Sequence, residues 1–159
     1  MTFTQLLERV CAQRKKQPFQ GCLLALDPGE TTGWAVFKRG ELVESGQLPC
    51  EGAGGFLTLA NLIDYVKPSI VVCEAYRVYS HKRDEHVWSD LYTVRLIGSV
   101  ELICIRKCIH LYFQMASTAK GFCKDEKLKQ WGYYKRGERH ARDAIRHGCY
   151  WLLFGKADY

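Results

Sequence analysis

Residues 21–46 read GCLLALDPGETTGWAVFKRGELVESG. The run GCLLAL (21–26) is short and wholly apolar, as a strand buried on both faces should be. It stops at Asp27-Pro28-Gly29, a strong turn signal. GWAVF (33–37) forms a second strand, Lys38-Arg39-Gly40 turns the chain, and Glu41 to Gly46 resumes as a third. Three short strands joined by tight turns read as an antiparallel meander.

The pattern changes beyond the meander. Phe56, Leu59, Ala60, Ile63 and Val66 recur at helical spacing until Lys67-Pro68. SIVVC (69–73) is another buried strand, followed at once by Glu74, and 76–85 is a charged, aromatic loop. Helical periodicity runs from Trp88 to Cys108, a strand from Ile109 to Phe113, a small-residue loop from Ala116 to Lys120, and a short helix from Lys124 to Trp131. The segment from Glu138 to Phe154 is a final helix. Strands alternating with helices imply an α/β domain whose five-stranded sheet is partly parallel and covered by helices on both faces. Residues 1–20 stand apart as an N-terminal extension, an amphipathic helix through Phe3, Leu6, Leu7 and Val10 followed by basic Arg14-Lys15-Lys16, with the domain proper at 21–159.

Composition narrows the function classes. A chain of 159 residues, 47% hydrophobic and 25% charged, fits one globular domain. No apolar run approaches the roughly 18 residues of a membrane span, and the first residues lack an apolar block with a cleavage site, so a cytoplasmic protein is expected. Eight cysteines include no C-x-x-C pair. Structural zinc needs two such short pairs, and free thiols in a reducing compartment are the better reading. The formal charge of +6 favours polyanionic partners.

Two carboxylates follow buried strands directly: Asp27 after CLLAL and Glu74 after IVVC. In α/β sheets, sites collect where strands end. A third, Asp143, lies in HARDAIRHG on the last helix. At about 100° per residue, His140, Asp143 and His147 share roughly 60° of arc beside the apolar stripe. Each acid alone has a plain structural explanation as a turn residue, a loop charge or half of a solvated ion pair. Together they would repel one another and raise at least one pKa, unless a hard divalent cation such as Mg²⁺ or Mn²⁺ intervened. Two such ions can hydrolyse a phosphodiester.

These segments resemble the RuvC-type Holliday junction resolvases, and the bacteriophage-encoded branch most of all. LALDPGETTGWAVF resembles the first motif, IVVCEAYRVY the second, and the Gly-containing helix WSDLYTVRLIGSVELIC the segment after it; HARDAIRHG resembles the last motif, with a His or acid three positions before an Asp. The likeness covers about residues 21–154. It implies an RNase H-like fold and a homodimeric, divalent-metal endonuclease of DNA recombination and repair that nicks branched DNA, acting in the host cytoplasm if phage-encoded. It also implies that Asp27 bridges two metal ions, that Glu74 binds one and Asp143 the other, and that His140 either binds metal or handles the proton of the attacking water. The turn after Asp27 is one residue shorter than in typical bacterial members, and the loop after Glu74 does not match theirs.

DNA phosphates call for Lys and Arg. Eight basic residues against four acidic ones lie between Lys124 and His147. Lys120, Lys127 and Arg139, with Arg77, Lys82 and Arg83 in the loop, are the candidate DNA contacts. Tyr76 and Tyr79 could stack on unpaired bases. The long helix 88–108, apolar around much of its circumference, suits burial in both a core and a two-fold dimer seam. Two other classes remain open: an actin-like nucleotide-binding phosphotransferase domain, because Asp-x-Gly with Thr and Gly also occurs in phosphate loops, and a non-catalytic nucleic-acid-binding module.

Overall fold

The computed structural model describes residues 1–76 and 88–155. In chain order the elements are α1 (Phe3–Gln13), β1 (Cys22–Asp27), β2 (Thr31–Lys38), β3 (Glu41–Pro49), α2 (Gly52–Val66), β4 (Ile70–Ala75), α3 (Trp88–Arg106), β5 (His110–Met115), α4 (Ala116–Phe122), α5 (Asp125–Trp131) and α6 (Arg139–Phe154). The strands form one sheet in the order β3-β2-β1-β4-β5. The first three pair antiparallel, whereas β4 runs parallel to both β1 and β5. This is the expected mixed α/β sheet.

Side chains alternate across a strand with a period of two, and here the alternation divides two cores. Leu23 and Ala25 of β1, Ile70 and Val72 of β4 and Phe37 of β2 pack with Ala144, Ile145 and Cys149 of α6. Leu24, Leu26, Val71 and Cys73 pack on the opposite face, against Leu59 and Ile63 of α2 and Leu96 and Val100 of α3. By this parity Asp27 and Glu74 fall on the α6 side, at the ends of adjacent parallel strands.

The first helix joins that same core. Thr2 and Gln5 cap it reciprocally, and Phe3 and Leu7 are buried among the α6-side residues. The Phe3 ring packs edge-on against Trp131 at 5.0 Å, and Arg14 donates to the carbonyl of Leu153 at 3.0 Å. The amphipathic stripe of residues 3–10 is therefore spent on the fold.

Several boundaries differ from the sequence reading; β5, for one, runs on from Phe113 to Met115 through its pairing with β4. Segment 116–120, read as a loop, is the first part of α4. Ala116 and Ala119 are good helix formers, and Ala119 is fully buried, so packing stabilises a helix too short to show periodicity. β3 continues to Pro49 because pairing with β2 carries it on as far as Thr31. The glycines of 52–55, read as a break, form the first turn of α2.

Gly33 decides how closely α6 approaches the sheet. It pairs with Asp27 on one side and Gln47 on the other. A Cβ there would overlap the carbonyl oxygen of His140. Backbone therefore meets backbone where α6 crosses β2, and no other residue allows that approach. Gly33→Ala should push the start of α6 outward and destabilise the fold by about 1–3 kcal/mol, as overpacking does. Thermal unfolding would register this as a midpoint lowered by several degrees.

Candidate active site

The site forms where α6 crosses the strand ends. Pairing lines up Gln47, Gly33 and Asp27 across β3, β2 and β1, and Glu74 with Gln114 across β4 and β5. Glu74 stands one step beyond the last β1–β4 pair, Leu26 with Cys73, next to Asp27. His140, Asp143 and His147 descend over this row from α6. The helix lacks a side-chain cap of its own at Glu138, but the backbone N–H of His140 donates to Gln47 Oε1 at 2.8 Å. A strand residue thus satisfies a donor that helix geometry leaves unpaired.

Each acid has a partner. Asp27 Oδ2 lies 2.8 Å from His140 Nδ1. Glu74 Oε2 lies 2.8 Å from His147 Nε2, and 3.6 Å from the ammonium of Lys120. Asp143 Oδ2 is 3.0 Å from the same ammonium, and its Oδ1 accepts from Arg146. One lysine between Glu74 and Asp143 means that those carboxylates are separated by little more than an ammonium group. Arg146 also reaches Asp125, and its Nε donates to the carbonyl of Cys123 at 2.8 Å. Asp27 and Asp143 are nearly buried, at 8% and 4% exposure, and His147 is fully so.

Burial pushes the Asp27 carboxyl above its usual range, and the charges of Glu74 and Asp143 push the same way against the His140 hydrogen bond. Burial acts upward on Glu74 too, but the bond from His147 and the charge of Lys120 prevail and hold it low. Burial disfavours the Lys120 ammonium, yet Glu74 and Asp143 outweigh burial and keep it protonated beyond the ordinary lysine range. The cluster is a set of crowded negative charges neutralised from within.

Among the described residues, no three His, Cys, Asp or Glu side chains stand arranged around one cation. The contacts explain why: the carboxylates are turned toward Lys120, Arg146 and the two imidazoles. In kind, the donors suit a hard divalent ion, since two carboxylates at strand ends with a carboxylate and an imidazole from α6 make an oxygen-rich set. The upward push on Asp27 from its acidic neighbours is the strain such an ion would relieve.

Of the candidate DNA contacts, Lys120 lies within the cluster. Arg139 is exposed at the start of α6, and Lys127 sits 3.4 Å over the ring of Phe122. Lys120, Lys124, Arg139, Arg142 and Arg146 line a cavity of about 460 Å³ that reaches Asp143. A smaller one, about 180 Å³, opens beside Glu74 and Tyr76. Arg77, Tyr79, Lys82 and Arg83 lie outside the described residues. Sequence reasoning set His147 on the right arc but gave it no task, and it missed Gln114 and Gln47; the pairing of Asp143 with a flanking arginine, expected as a solvated ion pair, is formed with Arg146 but is buried. His147 was findable as the residue one turn beyond Asp143. Gln114 was findable only from the strand pairing that puts it beside Glu74.

No family model matches the chain, and no curated protein matches it. Solved structures do. The chain is similar to RuvC of T. thermophilus in complex with Holliday junction substrate, at TM-score 0.63 and 15% identity over 84% of this chain and 93% of that one. The fowlpox virus Holliday junction resolvase matches at 0.55 and 10%, covering 82% and 96%, and the yeast mitochondrial resolvase Ydc2 at 0.54 and 11%, covering 94% and 84%. The fold is that of the RuvC-type Holliday junction resolvases, as the motifs led one to expect.

The His140–Asp27 contact yields a pH test. The bond to Asp27 raises the His140 pKa above its ordinary 6.5, against burial. The charged pair therefore stabilises the fold where the ring is protonated and Asp27 ionised; the contribution is lost as pH rises through the raised His140 value, and lost again in acid as the raised Asp27 carboxyl takes up a proton. With chelator present, the unfolding midpoint of the wild type should exceed that of His140→Asn most in the mildly acidic range between these two titrations, and the gap should close toward alkaline pH. A gap independent of pH would contradict the charged pair.

Proposed function

We propose that this chain is a divalent-metal-dependent, structure-selective endonuclease that nicks branched DNA, as a Holliday junction resolvase does. The observation that carries the reading is the convergence of Asp27, Glu74 and Asp143, far apart in sequence, beside a cavity lined by five lysine and arginine side chains and, besides Asp143, by Asp125 and Glu126. Phosphate is the ligand that would tolerate such a neighbourhood only with cations present. The likeness to a RuvC solved with Holliday junction substrate supports branched DNA as the partner.

Asp27, Glu74 and Asp143 would hold Mg²⁺ or Mn²⁺, and the bound ions would supply activation of a water and stabilisation of the leaving oxygen. His140, 41% exposed at its side chain, sits where it can ligate an ion or accept the water's proton. Lys120 would exchange its carboxylate partners for a DNA phosphate once ions neutralise them, and Arg139 and Lys127 would hold the strand on either side. The products would be a 5′-phosphate and a 3′-hydroxyl.

A two-fold dimer would match the near two-fold symmetry of a four-way junction. The reading is supported by α3, whose Leu96, Val100 and Cys104 are buried while Leu91, Leu102 and Ile105 are 49%, 57% and 69% exposed. One face serves the core and another is left apolar toward solvent. No helix among the described residues is long and apolar enough to cross a membrane. The resemblance to phage-encoded members would put the reaction in the host cytoplasm.

Asp27→Asn should cut Mg²⁺-dependent nicking of a four-way junction by about 10³-fold or more, while leaving junction binding intact and steeply salt-dependent. Full activity in that variant would overturn the metal assignment. Equal nicking of linear duplex would overturn the structure selectivity.

A further inference from the structure

We propose that His147 and Gln114 are positioning residues that lock Glu74 so that one chosen carboxylate oxygen faces the cation; the inference rests on the metal-site reading above. His147 is fully buried, and both ring nitrogens are spent. Nδ1 lies 2.7 Å from Gln114 Oε1, and Nε2 lies 2.8 Å from Glu74 Oε2. The two partners are neighbours across the β4–β5 ladder. Their separation is therefore set by strand pairing, and one imidazole from α6 spans them.

A buried histidine with both nitrogens bonded can simply be a satisfied core residue. Three features argue for more. First, an apolar residue would fill this α6 position without the desolvation that imidazole incurs. Second, the ring bonds no backbone group; it bonds a carboxylate and the amide beside it. Third, the restraint falls on a single oxygen. Both the His147 bond and the Lys120 contact reach Glu74 Oε2. Oε1 is the oxygen left for a cation, so Glu74 would ligate through one defined atom.

The hydrogen-bond roles are consistent with this. If the amide nitrogen of Gln114 faces the ring, it donates to Nδ1, and neutral His147 carries its proton on Nε2. If the amide oxygen faces the ring, both nitrogens carry protons. Side-chain amide orientation separates the two cases, and in both the Nε2–H donates to Glu74.

The contrast with the other imidazole is instructive. His140, which holds Asp27, has 41% of its side chain exposed, whereas His147 has none. Asp27 can exchange its partner when ions and substrate arrive. The partner of Glu74 cannot leave it without opening the core, because no part of the His147 side chain is exposed. Glu74 is thus the fixed reference ligand, and the other acids adjust around it. Groups that orient a metal ligand in this way are commonly worth about 10- to 100-fold in metal affinity.

The test uses Mn²⁺ alone, titrated into the full chain without DNA and followed by electron paramagnetic resonance, with thermal unfolding in chelator as a second measurement. His147→Leu, similar in size but without a donor, should weaken Mn²⁺ binding about 10- to 100-fold. His147→Gln, which keeps an N–H near the position of Nε2, should recover most of that loss. Gln114→Leu, at a half-buried strand position, should weaken binding in the same direction by a smaller factor. Wild-type affinity in folded His147→Leu would overturn the proposal, as would equal losses in His147→Leu and His147→Gln, which would mark a space-filling role. If His147→Leu does not fold, Gln114→Leu decides, and unchanged affinity there overturns it. Absence of Mn²⁺ binding in the wild type would instead fail the underlying metal reading, and this inference would fall with it.

Discussion

Three carboxylates in one small, largely buried volume must be compensated, and everything around them is arranged to do so. Asp27 and Glu74 end adjacent parallel strands in the middle of the sheet, and Asp143 comes down on them from α6. Close crossing is possible because Gly33 has no side chain under the helix and because Gln47 satisfies its first turn. An α6 set even a methyl group further out would separate His140 from Asp27, and with it the acids from one another.

The compensation comes from two kinds of group. Lys120 and Arg146 supply fixed positive charge, one from α4 and one from α6 itself. The imidazoles of His140 and His147 supply hydrogen bonds from α6 to the strand ends. Arg146 is held by Asp125 and by the carbonyl of Cys123 as well as by Asp143. It is therefore a structural cation, costly to remove because it would leave the buried Asp143 carboxylate with Lys120 alone. Lys120, 38% exposed and without a backbone acceptor of its own among the described contacts, is free to trade partners. The cluster thus holds one cation tied by several acceptors and one, Lys120, shared between two carboxylates.

The two sides of the sheet carry different duties. The face under α6 holds the site, sealed at its far end by α1 through Phe3 and Leu7. The opposite face, under α2 and α3, is largely apolar, with Thr32 its fully buried polar side chain among the described residues. Its helix α3 also leaves Leu91, Leu102 and Ile105 exposed.

How much of this was legible in the chain follows from which interactions are local. Buried strands announce themselves as short apolar runs, so CLLAL and IVVC, the turn at Asp27-Pro28-Gly29 and the acid at each strand end could be read directly. Helical periodicity put His140, Asp143 and His147 on one arc, because that depends on nothing beyond 3.6 residues per turn. Segment 116–120 was misread because a helix of seven residues is held by packing, which leaves no local pattern. Gln47 and Gln114 carry no signal at all until strands pair and helices dock, whereas Arg146 stands three residues from Asp143 on one helix and only its burial was hidden. Sequence alone determined the order of the elements and the identity of the acids. Tertiary structure decided which oxygen meets which cation, because strand register and helix approach are settled by contacts between residues remote along the chain.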